Sequence, residues 1–453
     1  MNSLRQKLNS HGLEIPSILL PKIAQTASAL ELSRWPVIAC DQFTQDRDYW
    51  ERAKIAAAGS PSTLNLIFPE VFLSDNDAPQ RITDIHSTMN RYLQENVFGE
   101  GQYGFIYIER DTPYQKKRRG LVAAIDLEQY DWHPDARPLI RSTEGTVAER
   151  LPARMDIRRG APLELPHVLL LIDDDTDSLL PALAGRVKNN VPVYTTPLMM
   201  DSGNVSGWLV NTDSDLNFIA EKIEELLCRS VERYNGNKPF LFAVGDGNHS
   251  LAAAKGIWTE LKEQGAKFAH PCRYALVEIE NIYDPAIQFE PIHRLVFNIG
   301  FDETLSLLSQ LADFSFRNIN SAKELSSAVG SLHGIADTPA GFSGNRFGIV
   351  SRGRYALVET SAGGIATACL QPLLDLYAKD NPHLIDYIHD DEEIFRLADS
   401  GAVSGNVTGI LLPPVQKSGL FETVGRLGPL PRKSFSMGHS CEKRFYLECR
   451  ALF

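Results

Sequence analysis

At 453 residues the chain is longer than one hydrophobic core usually serves, so two or three packed units are expected. Its 43% hydrophobic and 23% charged residues match an ordinary globular protein and exclude a disordered chain. A net charge of −12, from 57 acidic and 45 basic residues, argues against general nucleic-acid affinity, although a local basic patch can still hold a phosphate.

No apolar run reaches the ~18 residues of a transmembrane span, and the first twenty residues hold no compact apolar block with a cleavage site. The six cysteines, Cys40, Cys228, Cys272, Cys369, Cys441 and Cys449, show no paired metal-ligand spacing. The expectation is a cytoplasmic protein with reduced thiols, no structural zinc and no membrane or nucleic-acid partner.

In chain order, WPVIAC reads as a buried strand closing on Cys40 and Asp41. DQFTQDRDYWERAKIAAA follows as a helix that Thr44 can cap, with Asp46 and Asp48 in its first turn. YGFIYIER and GLVAAIDLEQY flank a basic turn and predict a hairpin. HVLLLIDDD is a second apolar run. DLNFIAEKIEELLCRSVERY carries Phe218, Ile219, Ile223, Leu226 and Leu227 at helical spacing. PFLFAV, a glycine turn, SLAAAKGIWTELKEQG and CRYALVEI then make a strand–helix–strand unit. Beyond Gly300, DETLSLLSQLADF and SAKELSSAVGSL predict amphipathic helices, and PAGFSGNRFGIVSRGRYALVE predicts a hairpin. The breaks near Gly145 and Gly300 divide the chain into regions 1–145, 146–300 and 301–453.

Chemistry concentrates at the glycine turn, Gly245-Asp246-Gly247-Asn248-His249-Ser250. A strand entering a helix through glycines leaves backbone N–H groups and the positive end of the helix dipole facing outward, which makes an anion site. Asp246 can hold a metal ion or take a proton, and His249 can act as acid or base. Equally, the glycines can simply make the turn, with Asn248 capping the helix. No P-loop ending is present, and Ser250 replaces the third glycine of a dinucleotide fingerprint.

DGNHSLAAA resembles the Asp-Gly-His-His-Arg motif of the family called domain of unknown function 1015. That motif is similar in turn to the nucleotide-contacting motif of the ParB/sulfiredoxin superfamily. The resemblance extends over WPVIACDQFTQDRDYW, EGTVAERLPARMDIRRGAPLELPHVLLLIDD, FEPIHRLVF, IDYIH and LPRKSFSMGHSCEKRFYLE. It implies an α/β or α+β fold with a ParB/sulfiredoxin-like mixed core over 146–300. An N-terminal α+β region contributes to the cleft, and a separate α+β C-terminal portion follows. Gly247, Asn248 and His249 would then be the phosphate-facing turn, with Asp246 the acidic residue beside it, and Gly245 and Ser250 are further candidate phosphate contacts. The chain departs from the superfamily at Ser250, where arginine is common: a hydroxyl brings no charge, so another cation has to supply it. Cys40 is not expected to react as in sulfiredoxin, whose cysteine lies inside the motif, where this chain has Asn248.

Candidate cations are Arg141 and Arg154, from an arginine-rich stretch whose alternative is a solvated, ion-paired face. His293 and Arg294 are a candidate substrate-pocket pair near a strand end, and Asp41 is a candidate acid. Together these residues imply phosphate-ester chemistry on a small metabolite. Its most specific form is a kinase of a small hydroxyl compound such as free serine, with ATP or ADP as co-substrate and Mg2+ on Asp246. Asp246 or His249 would accept the hydroxyl proton. The rival readings are a phosphatase of a similar ester, such as phosphoserine, and a non-catalytic nucleotide-gated binding module.

Overall fold

The computed structural model describes residues 2–22, 32–44, 46–115, 117–233, 239–330, 344–363, 365–389, 391–399 and 405–453. Two compact units result: Met1–Ile287 with His439–Phe453, and Gln288–Gly438. The expected break after residue 145 falls inside the first unit, and the one after residue 300 falls inside the second. The last fifteen or so residues return to the first unit after the whole of the second has been made, which nothing local in the sequence signals.

The first unit is built on a ten-stranded mixed sheet. In chain order its strands are β1 (Leu13–Glu14), β2 (Phe105–Asp111), β3 (Arg118–Asp126), β4 (Tyr130–Asp131), β5 (Ile140–Ser142), β6 (Leu169–Ile172), β7 (Tyr194–Pro197), β8 (Asn204–Val210), β9 (Phe242–Asp246) and β10 (Tyr274–Asn281). Across the sheet they run β7-β8-β2-β3-β10-β6-β9-β5-β4, with β1 on β3. β2 and β3 form the hairpin that their alternating apolar residues predict.

Both faces of the sheet are covered, and strand alternation sorts the side chains between them. Phe105 and Tyr107 enter one core, with Leu216, Ile219, Ile223 and Leu226 of α3 (Asp213–Arg233). Ile106 and Ile108 enter the other, with Trp35, Trp50 and Phe445. Each large aliphatic residue buried this way stabilises the unit by roughly 1.5–3 kcal/mol.

The remaining helices of interest are α1 (Arg47–Ala57), α2 (Leu151–Arg158) and α4 (Asn248–Glu263). α1 begins later than expected: the Asp46 carboxylate, not Thr44, accepts the Tyr49 N–H at 2.8 Å and caps it. The expected strand–helix–strand unit also takes a different form. β9 and β10 are not neighbours: β6 lies between them, antiparallel to β9 and parallel to β10. A right-handed parallel crossover is therefore not what α4 connects.

The second unit has a six-stranded sheet that includes Asn345–Ser351 and Arg354–Thr360, the expected hairpin, and helices Phe301–Leu308 and Ala322–Val329. The ends of two predicted segments, Ser331-Leu332 and Pro339–Ser343, lie outside the described residues. Among the described residues no helix is long and apolar enough to cross a membrane. All six cysteines are unpaired.

Candidate functional site

β9 carries an irregularity next to the turn. Leu170 pairs with Val244 but Leu169 pairs with Asp246, so Gly245 is passed over as a bulge. Gly247 then takes a left-handed conformation (φ 82°), which glycine adopts without strain. A Cβ there would lie 3.1 Å from Val168 Cα, so the turn also needs the missing side chain for its close approach to β6.

The first bond inside α4 runs from Leu251 N–H to the Gly247 carbonyl at 3.0 Å. The N–H groups of Asn248, His249 and Ser250 therefore have no partner within the helix. α2 packs on α4 where Gly256 makes room for Met155.

The C-terminal return brings the side chains that complete this turn. Phe445–Tyr446 pairs antiparallel with Val37–Ile38. Arg110 donates to three successive carbonyls, those of Cys441, Glu442 and Lys443, and Arg118 donates to that of Glu442. Burial, with Arg118 alongside, holds the Arg110 guanidinium down to about 9, still charged at neutral pH. So held, Lys443 places its ammonium 3.3 Å from Asp246 Oδ2 and is itself largely buried. The other Asp246 oxygen, Oδ1, accepts the Gly247 N–H at 3.2 Å.

A second polar cluster adjoins the turn. Ser250 Oγ lies 2.8 Å from His167 Nε2, and His167 Nδ1 lies 2.9 Å from the Tyr446 hydroxyl. Asp41 Oδ2 is 3.9 Å from the same Nε2. Burial raises the Asp41 carboxyl's pKa, but His167, the Gln42 amide and Lys443 outweigh it and hold the group below the ordinary range. Glu70 pairs with Arg154 at 2.5 Å. Its carboxyl is nonetheless pushed up: burial dominates, Arg154 opposes it, and Asp41 adds to it. Burial, followed by Asp41 and Glu70, pushes the Cys40 thiol up as well, which makes a reactive thiolate there unfavourable.

Residues 23–377 fit the family model described as protein of unknown function (DUF1015). The chain belongs to this family. No curated protein matches it in sequence. Among solved structures, a conserved hypothetical protein from Pyrococcus furiosus aligns at 13% identity, over 72% of this chain and 90% of that one, with a TM-score of 0.33. A mutant free serine kinase in complex with AMP aligns at 12% identity, over 73% and 93%, with a TM-score of 0.36. SbnI from Staphylococcus aureus aligns at 10% identity, over 73% and 87%, with a TM-score of 0.35. Likeness this remote transfers no residue roles, and the DUF1015 chain is read on its own geometry.

Of the expected residues, Gly245, Asp246, Gly247, Asn248, His249 and Ser250 form the turn, and Asp41 and Arg154 lie in the adjoining cluster. His249 differs from expectation: its Nε2 accepts the Val147 N–H at 3.2 Å, which occupies the nitrogen a base would use. Asn248 does not cap the helix; its Oδ1 is buried with no hydrogen-bond partner, as is Thr146 Oγ1.

Arg141 is not a phosphate clamp. Its guanidinium donates to the Pro138 carbonyl at 2.9 Å and lies over the Phe240 ring, so it belongs to the packed interior. His293 and Arg294, in the second unit, are fully buried. His293 bonds Asp391 at 2.7 Å and accepts the Leu412 N–H, while Arg294 donates to Gln371 and to the Ile292 and Lys433 carbonyls.

The residues sequence reasoning missed are Lys443, Tyr446, His167 and Glu70. The only signal for the first two was the charged C-terminal run GHSCEKRFYLE, whose place beside the turn depends on the chain's return.

Mg2+ on Asp246 does not fit the residues present. Both carboxylate oxygens are engaged, one by Lys443 and one by Gly247, and a metal would have to displace the ammonium. Among the described residues no group of three or more His, Cys, Asp or Glu converges as a metal site.

Proposed function

We propose that the first unit of this DUF1015 chain binds the phosphate of a small metabolite or nucleotide at the glycine turn and carries out phosphate-ester chemistry there. The carrying observation is Lys443 beside Asp246: a buried ammonium 3.3 Å from the carboxylate that ends the strand just before the N-terminus of α4. Ser250 brings no charge of its own, and Lys443 supplies what an arginine at that position would have given. In the ParB/sulfiredoxin superfamily, which the motif resembles, the corresponding turn faces phosphates.

The reaction this arrangement suits best is transfer of a phosphoryl group from ATP or ADP to a small hydroxyl compound such as free serine. The turn's N–H groups, Lys443 and Ser250 hold phosphate oxygens and offset the charge that develops on them. Asp246 holds the ammonium in place instead of serving as the base. Asp41, kept ionised by His167 and Lys443, accepts the hydroxyl proton in preference to His249, whose Nε2 is engaged. No step requires a metal ion held by Asp246.

Titration calorimetry with ATP, ADP, AMP and inorganic phosphate tests the binding, followed by turnover assays with small alcohols including serine. Binding of at least one nucleotide with transfer to an alcohol is the expected result. Phosphate release from phosphoserine without nucleotide makes the protein a phosphatase. Tight binding without turnover makes it a binding module. No binding by any of the four ends the reading.

A further inference from the structure

The proton positions along Tyr446, His167 and Ser250 follow from counting donors and acceptors. The Tyr446 hydroxyl accepts the Cys40 N–H at 3.2 Å. It has one proton of its own to give, and its acceptors are His167 Nδ1 at 2.9 Å and, more weakly, the Cys40 side chain. If Nδ1 carried the ring proton, Tyr446 would accept twice and leave its own proton only the weakly accepting sulfur, at the cost of most of a buried hydrogen bond. Tyr446 is almost fully buried, so water does not relieve that cost.

When the ring is neutral, Tyr446 therefore donates to Nδ1 and the ring carries its proton on Nε2; the charged ring, the form that draws Asp41 down, likewise donates from Nε2. That proton faces Ser250 Oγ at 2.8 Å, with Asp41 Oδ2 at 3.9 Å on the same nitrogen. Ser250 Oγ, having accepted from His167, has its own proton left to give.

We propose that Tyr446 and His167 are positioning residues, forming a directed hydrogen-bond chain that turns the Ser250 hydroxyl into an obligatory donor at the N-terminus of α4. The chain begins at a backbone N–H, so its direction is set by the fold and not by the ligand. Resting on the phosphate reading, its consequence is specificity: the site favours a ligand atom that only accepts, such as a phosphate oxygen, over a hydroxyl or amine. The ring also lies against the turn itself, with His167 Cδ2 3.5 Å from where a Gly247 Cβ would be.

The test is nitrogen-15 NMR of the histidine side chains in the full chain. In the neutral ring, His167 is expected to be protonated on Nε2 and bare on Nδ1. Tyr446→Phe is expected to populate the opposite tautomer. A dominant Nδ1–H tautomer in the unsubstituted protein overturns the chain, and this result stands whether or not any phosphate binds. Should Tyr446→Phe fail to fold, the unsubstituted spectrum still decides.

Calorimetry with inorganic phosphate and ADP then reads the consequence. Ser250→Ala and His167→Leu are each expected to weaken binding about tenfold, the worth of one hydrogen bond to a charged group. His167→Gln, which keeps an N–H where Nε2 was, is expected to restore most of it. Equal losses for the Leu and Gln substitutions count against the chain. If the unsubstituted protein binds neither probe, the phosphate reading fails while the tautomer result remains.

Discussion

The glycine turn and the strand His293–Phe297 look alike in sequence, each pairing a histidine with a polar neighbour at the edge of an apolar run. In the folded chain they differ in what remains unspent. His293 uses both ring nitrogens on internal partners, and Arg294 is fully buried with its guanidinium divided among a glutamine and two backbone carbonyls. At the turn, the Asn248 side-chain oxygen is buried without a hydrogen-bond partner, and the N–H groups of Asn248 and Ser250 find none inside their helix. Both regions are dense in polar atoms, and density alone does not mark a binding site. A surplus of donors beside a held cation does.

The largest expected effect breaks the second-unit side of this contrast. Arg294→Met strands two buried acceptors, on Gln371 and Ile292, and a half-buried one on Lys433, and chemical denaturation should show a loss of about 3 kcal/mol or more. ADP affinity of the folded protein should not change. A weakened ADP affinity with intact stability would return Arg294 to a ligand site.

Lys443→Met makes the converse test. Losing one charge-assisted contact of about 2 kcal/mol should weaken ADP or phosphate binding about 30-fold. Stability should change less, because Asp246 is partly exposed and water can solvate the carboxylate left behind. Lys443→Arg should recover part of the affinity. Unchanged binding in the methionine variant would remove the observation on which the proposed function rests.

Gly247→Ala is the next step down. The left-handed backbone costs an alanine about 1 kcal/mol, and its Cβ would crowd Val168 at 3.1 Å. Thermal melting should fall modestly, while binding falls by more than stability does, because the turn re-aims Asp246. Equal and small losses would mean that the turn is only a turn.

The parts of the chain legible in sequence were those whose cause is local. The α3 stripe, the β2–β3 hairpin and the change from strand to helix around Gly247 all follow from periodicity and glycine chemistry within a few residues. The site's far half was not legible. Lys443 and Tyr446 reach the turn only because the C-terminal run pairs with Val37–Ile38 and is gripped by Arg110, contacts that span most of the chain. His167 read as the start of an apolar run, since its partners come from three other segments. Arg141 and Arg154 were indistinguishable as sequence: one is covered by Phe240, the other by a carboxylate at the site, and only packing separates them.

The smallest expected effect is a pH dependence that separates two neighbouring carboxylates of the candidate site. Asp41 has a folded-state pKa below its unfolded value of about 3.9. It therefore contributes stability above that value, which is lost as pH falls through the folded pKa. Glu70 has a folded-state pKa above its unfolded value of about 4.3, with burial the leading cause. Its contribution is fully present below that unfolded value and is lost as pH rises through the folded pKa. Stability measured by urea denaturation between pH 3 and 7 should therefore show opposite trends on neutralising each group. Asp41→Asn should flatten the acid limb, falling further behind the unsubstituted protein as pH rises from the folded pKa towards about 4 and keeping a constant gap above it. Glu70→Gln should improve relative to the unsubstituted protein as pH rises above about 4.3, offset in part by the unpaired Arg154. Parallel curves for the two variants would mean that His167 and Lys443 do not hold Asp41 ionised, and the proton acceptor assigned to the reaction would have to be sought elsewhere.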